Sequence, residues 1–317
     1  MKSLIEFIKE AEQNKKAVGH FNVSDLAGLK AIVLAVLDFV KNSVKGESVP
    51  VIIGVSEGEG DFIGVKEIAF LVKFLKEEYQ IPLFLNADHI RSLEKAKEAA
   101  EAGFDAVMFD ASQLSLEKNI KKTKEVVERV KDINPQILIE AELGHIKGSS
   151  TILLRPDTLI IKEEDLTKSE EVGQFIRETG IDLLAPAVGN IHGIFLAPVK
   201  TQTNLVRNNL SNCESASVTY ISPSPDIQRI RDIKKAVKIP LVLHGGSGIN
   251  KEDVFSAIDA GISVIHINTE LRLAWKKELE KSLREKPEES APYKLLGPVV
   301  EEIQKIVYDK LTIFNRR

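Results

Sequence analysis

The sequence has one cysteine, Cys213, in 317 residues, so no disulfide can form within the chain. It shows no secretory signal pattern either, because Met1-Lys2-Ser3-Leu4-Ile5-Glu6 turns charged before an apolar run develops. The expected setting is a reducing cytoplasm. No stretch reaches the roughly 18 apolar residues of a membrane span, so no membrane partner is expected. Excess positive charge is also missing: 43 Lys and Arg stand against 47 Asp and Glu, for a net charge of −4. That balance excludes the basic stripe of a nucleic-acid binder, and no nucleic-acid partner is expected. What the chain does have is apolar content, 43% of its residues, enough for a large core. Its length is long for one domain but ordinary for an α/β barrel with insertions.

Short runs rich in Val, Ile and Leu alternate with longer charged amphipathic runs. The apolar runs predict strands at 17–23, 49–56, 82–89, 106–112, 136–144, 183–189, 240–248 and 264–270. Their apolarity is continuous rather than alternating, which suits parallel strands buried on both faces. Helical patterns lie between them at 25–41, 65–79, 92–102, 115–132, 168–179, 225–237 and 251–260. Ser92 and Asn250 are N-terminal start signals. Gly103 and Gly261 sit just past helix ends, where a left-handed residue is needed. Eight strands with intervening helices predict a single α/β domain over 1–317, a closed (β/α)8 TIM barrel. An open doubly wound sheet is the alternative.

Two connections are long, 145–165 and 194–224, and both follow strand C-termini, the face where barrel enzymes do chemistry. The second holds the polar stretch Asn208-Asn209-Leu210-Ser211-Asn212-Cys213-Glu214-Ser215. A helical C-terminal segment, 271–317, is broken at 287–292. Leu295, Val299, Ile303, Ile306 and Leu311 give it an apolar face, read as covering the barrel or pairing with another subunit.

Of six histidines, three close apolar strands: Asp88-His89, Ile191-His192-Gly193 and Leu243-His244-Gly245. In a barrel those ends converge on one mouth. Three neutral imidazoles suit zinc or another divalent transition metal and leave coordination positions open for a substrate. Each alone is also consistent with a histidine that merely satisfies hydrogen bonds at a strand end. Asp88 and Asp110 end strands nearby. Glu140 and Glu142 alternate on one strand and so share a face; pointing inward, they need a cation or a hydrogen-bond network. The segment Gly245-Gly246-Ser247-Gly248 runs from a strand toward a helix, where glycine backbone amides can approach a phosphate.

The ordered set Gly19-His20-Phe21-Asn22, Val55-Ser56-Glu57-Gly58, Asp88-His89, Phe109-Asp110-Ala111-Ser112, Glu140-Ala141-Glu142-Leu143-Gly144, His192-Gly193 and His244-Gly245-Gly246-Ser247-Gly248 resembles the class II fructose-bisphosphate and tagatose-bisphosphate aldolase family, over about 15–275. The resemblance implies a glycolytic, metal-dependent lyase that cleaves a ketose bisphosphate, by default fructose 1,6-bisphosphate, to dihydroxyacetone phosphate and glyceraldehyde 3-phosphate. It implies a catalytic Zn2+ or other divalent transition metal on His89, His192 and His244. It implies a second divalent or monovalent cation on Asp110 and Glu142, and a proton-transfer role for Asp88. Substrate contacts fall on Asn22, Ser56, Gly193, Gly245, Gly246, Ser247, His266, Asn268 and Thr269, and the assembly implied is a homodimer or homotetramer.

The pattern departs from the family in three places. A loop acid is replaced by His145-Ile146-Lys147-Gly148-Ser149-Ser150-Thr151, with Glu163, Glu164 or Asp165 as candidate substitutes. A phosphate-binding lysine is replaced by Leu196, with Lys200 nearby. His266 stands at an asparagine position, as a substrate contact, an added ligand or a tolerated replacement. His20 is read as structural. These departures leave two alternatives open: an aldolase or lyase for another ketose, and a non-catalytic metal- and sugar-phosphate-binding descendant.

Overall fold

The computed structural model describes residues 2–43, 48–153, 160–198 and 218–317. Lys200 and the polar stretch 208–215 lie outside them. Eleven strands follow in chain order among the described residues: β1 (Val18–Asn22), β2 (Val51–Ser56), β3 (Leu83–Ile90), β4 (Ala106–Phe109), β5 (Leu138–Leu143), β6 (Gly148–Leu153), β7 (Leu183–Pro186), β8 (His192–Pro198), β9 (Val218–Ile221), β10 (Leu241–Leu243) and β11 (Ile262–Ile267). Eight of them close into a barrel in the order β1-β11-β10-β7-β5-β4-β3-β2, and every barrel pair is parallel. The chain is thus a (β/α)8 TIM barrel. Its helices are α1 (Leu4–Gln13), α2 (Leu26–Lys41), α3 (Glu57–Ile63), α4 (Val65–Tyr79), α5 (Leu93–Ala102), α6 (Leu116–Ile133), α7 (Ser169–Thr179), α8 (Ile227–Ala236), α9 (Lys251–Ala260), α10 (Thr269–Glu285), α11 (Pro292–Leu295) and α12 (Gly297–Phe314).

Alternation along each strand sorts the barrel interior into layers. Val18, Ile52, Phe84, Leu138, Val242 and Val264 meet in an apolar layer at the bottom, which α1 plugs with Leu4 and Ile8. Two residues further along the same strands the buried side chains turn polar: His20, Asn86, Glu140, His244 and His266. A further two bring Asn22, Asp88 and Glu142, all buried. Gly54 stands at the matching position of β2, and a Cβ there would lie 2.1 Å from the His20 ring, so glycine makes room for the imidazole. The intervening residues, such as Phe21, Ile53, Leu85 and Ile139, face outward and join the core between the sheet and its helices.

The sequence reading left out helices and strands that the structure contains, and it left two uses open for the C-terminal apolar face. Helices α1 and α3 were not foreseen. The connections read as loops carry a second sheet, in which β6 runs parallel to β8 and β8 antiparallel to β9. His192 therefore opens β8 rather than closing a barrel strand; β7 stops at Pro186 and the chain crosses the mouth to reach it. The apolar face of α12 is spent within the chain. Val299, Ile303, Val307, Leu311 and Phe314 are buried in the outer core, and the Phe314 carbonyl accepts from the Ala17 amide at 3.1 Å.

Candidate metal and substrate site

His89, His192 and His244 surround one point at the barrel mouth. Their ring centroids are 4.7, 4.9 and 5.7 Å apart. Glu142 joins them, and the four candidate ligand atoms all lie within 4.8 Å of one another. His192 Nε2, His244 Nδ1 and Glu142 Oε2 are buried with no hydrogen-bond partner, an arrangement that is costly unless something positive sits between them. The opposite ring nitrogens of His89 and His244 are anchored. His89 Nδ1 lies 3.1 Å from Asp110 Oδ2, and His244 Nε2 lies 2.6 Å from Glu140 Oε1. Carboxylates behind imidazoles fix ring orientation and raise ligand basicity. Three nitrogens and one oxygen so oriented fit a divalent transition ion.

Asp88 and His89 are adjacent, yet both reach the mouth. A regular strand sends neighbours to opposite faces. Here the β3–β4 register breaks between Ala87 and Ile90, and His89 has φ of +53°. This left-handed residue turns the imidazole toward the other two histidines, a backbone strain of the kind found at functional sites.

The local field differs between the ligands: burial and the neighbouring His89 and His244 hold His192 well below its usual value. Burial pushes His89 down, but Asp88, the Asp110 hydrogen bond and Glu142 outweigh it and raise the imidazole to about 9. Burial and the neighbouring Asp110 charge push Glu142 up to about 7. Burial also pushes Asp88 up, but His89, His266 and His20 outweigh it and hold the carboxyl well below its usual range. Asp88 is thus ionised, with Asn22 Nδ2 donating to its Oδ2 at 2.9 Å and His266 Nδ1 3.5 Å from its Oδ1.

Beneath the mouth three imidazoles stack. His20 and His266 lie 3.5 Å apart at 3° between planes, and His266 and His244 lie 4.2 Å apart at 21°. Burial lowers His20 to about 4 and, with the neighbouring His20 and His244, lowers His266 well below its usual value. His20, Asp88 and His266 also bring ligand atoms within 4.8 Å of one another. The in-plane lone pairs of two parallel rings cannot converge on one ion, so this group is a packed polar layer in its observed geometry.

Asn22, Asp88, His89, His192, Gly193, Gly245, Ser247, His266, Asn268 and Thr269 line one cleft over the histidines, together with Ser150. Thr269 begins α10, and Asn268 at its N-cap makes no side-chain capping bond and leaves Oδ1 buried without a partner. Other expected residues lie elsewhere. Gly246 packs behind the cleft, its amide donating to the His266 carbonyl at 3.0 Å. Ser56 caps α3 through Glu59 and lines a neighbouring cavity. Asp110 sits behind His89 and accepts from the Ser112 amide and hydroxyl at 3.1 and 2.7 Å. The candidate loop acids are engaged outward: Asp165 with Lys147 at 2.7 Å, Glu163 with Arg229 at 2.6 Å, and Glu164 with Lys162 at 3.1 Å. The sequence reading missed Ser150, for which no signal existed. It also missed Glu59, whose oxygens accept from Asn22, Ser24, Ser56 and Arg272. The spacing Ser56-x-x-Glu59 is a capping-box signature and was legible.

Comparison with known proteins bears directly on this arrangement. The family described as "Fructose-bisphosphate aldolase class-II" matches residues 2–317. The "Probable fructose-bisphosphate aldolase" of Bacillus subtilis is 34% identical over 316 residues, 99% of this chain and 97% of that protein. The fructose-bisphosphate aldolase of Geobacillus stearothermophilus is also 34% identical, over 99% and 96%. Among solved structures, the YdjI aldolase of Escherichia coli K12 superposes with a TM-score of 0.74 at 25% identity, covering 99% of this chain and 97% of its own. The chain belongs to the class II fructose-bisphosphate aldolase family and is, by that membership, a carbon–carbon lyase.

Proposed function

We propose that this chain catalyses reversible aldol cleavage of a ketose phosphate whose leaving half is dihydroxyacetone phosphate. His89, His192 and His244 would hold the divalent ion, with Glu142 in reach, and zinc suits the donor set. Such an ion supplies Lewis-acid stabilisation for charge developing on the substrate's ketone oxygen. The observation that carries this reading is the set of orphaned buried donors facing one another beside an ionised Asp88. We place one ion here rather than two, because Asp110 is already committed to His89 and Ser112.

Asp88 accepts the C4 hydroxyl proton during cleavage and returns it in condensation. Asn22 holds one of its oxygens, and His266 Nδ1 stands 3.5 Å from the other. The start of α10 and the Gly245–Ser247 turn face the cleft, where backbone amides and the helix N-terminus favour a phosphate. Exposed Leu26, Phe70, Phe74 and Tyr293 support association of copies into a homodimer or homotetramer; a solution mass equal to one chain would set that aside.

The test is a coupled assay for triose-phosphate release from fructose and tagatose 1,6-bisphosphates, with and without chelator. Metal-dependent release is expected, and Asp88→Asn should lower it about 100-fold or more. Cleavage that survives chelation rules out the metal route. Ligand binding without turnover, unchanged by Asp88→Asn, would make the chain a non-catalytic binder.

A further inference from the structure

A second cavity of about 550 Å³ adjoins the cleft, and Asn22 is a wall of both. Asn22 Nδ2 donates at 2.9 Å to Oδ2 of Asp88, the residue given the C4 hydroxyl proton in the reading above. Asn22 thus joins the cavity to the residue that handles C4, and Gly245 and Ser247 line only the cleft on its other side. The cavity's volume is that of a ligand site.

Its chemistry is unlike a phosphate pocket. Ile32, Phe62, Leu271, Trp275 and Ile303 supply most of the wall. The charged lining is Asp25, Glu59 and Arg272. Arg272 already donates to Glu59 at 2.6 Å. Asp25 accepts from the Trp275 indole and the Gly28 amide, both at 2.8 Å. Two carboxylates against one committed guanidinium leave the lining net negative, and a phosphate dianion there faces repulsion. A neutral polyol tail meets an indole, apolar faces and spare acceptors.

We propose that this cavity holds the aldehyde half of the substrate and selects a ketose 1-phosphate whose far end is uncharged. The inference rests on the aldolase reading and narrows it: the donor half keeps its phosphate, and the acceptor half carries none.

The experiment compares fructose 1-phosphate with fructose 1,6-bisphosphate on the metal-loaded full chain. Expected is a kcat/KM for the monophosphate at least equal to that for the bisphosphate. A preference of about tenfold or more for the bisphosphate overturns the assignment and leaves the aldolase reading standing. Cleavage of neither sugar overturns both. A second arm adds a cation by Gly58→Lys, since Gly58 lines the cavity and an added Cβ there meets no atom within 4 Å. That variant should shift selectivity toward the bisphosphate by about fivefold or more; an unchanged ratio overturns the placement. A third arm uses Trp275, the only tryptophan in the sequence. In the metal-loaded Asp88→Asn variant, fructose 1-phosphate should change its emission saturably, and dihydroxyacetone phosphate alone should not. Equal responses to the two overturn the proposal.

Discussion

His20 is fully buried on β1, face to face with His266, and within 3.0 Å of the Asn86 amide. Burial holds its folded pKa near 4, against an ordinary value of 6.5. Between those values the unfolded chain binds the proton and the folded chain does not. The stability linked to His20 is therefore complete above pH 6.5 and lost as pH falls toward 4, by an amount on the order of 3 kcal/mol. His20→Gln keeps a polar side chain without the titration. Its melting temperature should fall less steeply than wild type between pH 6.5 and 4.5, and parallel profiles would contradict this account. At this scale the sequence shows which residues are present but not which touch. His20 and His266 are far apart in the chain and become neighbours only through the β1–β11 register. The reading of His20 as structural fits its place in the stack. Glu140 and Glu142 were legible as a pair on one face, yet not that one anchors His244 and the other joins the histidines.

Turns position the chemistry as firmly as strands do. Gly245 follows β10 with φ of +61°, and a Cβ there would lie 1.9 Å from the Ile191 carbonyl. Ile191 precedes His192, so an added methyl pushes directly on a candidate ligand. Gly103 caps α5 with φ of +89° but has no atom within 4 Å of an added Cβ. Both Gly→Ala changes incur left-handed strain of about 1–2 kcal/mol. Gly245→Ala alone should also lower turnover about tenfold or more, whereas Gly103→Ala should leave kcat untouched. Equal kinetics in the two variants would refute the coupling between this turn and His192. The barrel strands were legible because strands buried on both faces read as continuous apolar runs. The second sheet was not, because β6 opens with Gly148-Ser149-Ser150-Thr151, where neither apolar continuity nor alternation exists. Predicted strands also ran past their ends into mouth turns, as at 240–248 against Leu241–Leu243. Glycines and polar residues there continue the chain direction without ladder bonds.

Across the whole molecule, the four candidate ligands come from four separate places: His89 from β3, Glu142 from β5, His192 from the start of β8, and His244 just past β10. An ion bound among them ties two sheets and three barrel strands together, and the unfolded chain offers no such site. Binding is then also folding free energy. With free metal at about 1,000 times its Kd the stabilisation is about 4 kcal/mol. For a chain of this length that corresponds to roughly 6 °C in Tm. Chelation should lower the Tm by about that amount, and added zinc should restore it. His192→Ala removes the one ligand that the second sheet supplies, so its melting should respond to chelator much less. A wild-type Tm indifferent to chelator, measured at a pH where His89 can give up its proton to a metal, would dissolve the link between these distant elements and leave the orphaned donors without an occupant.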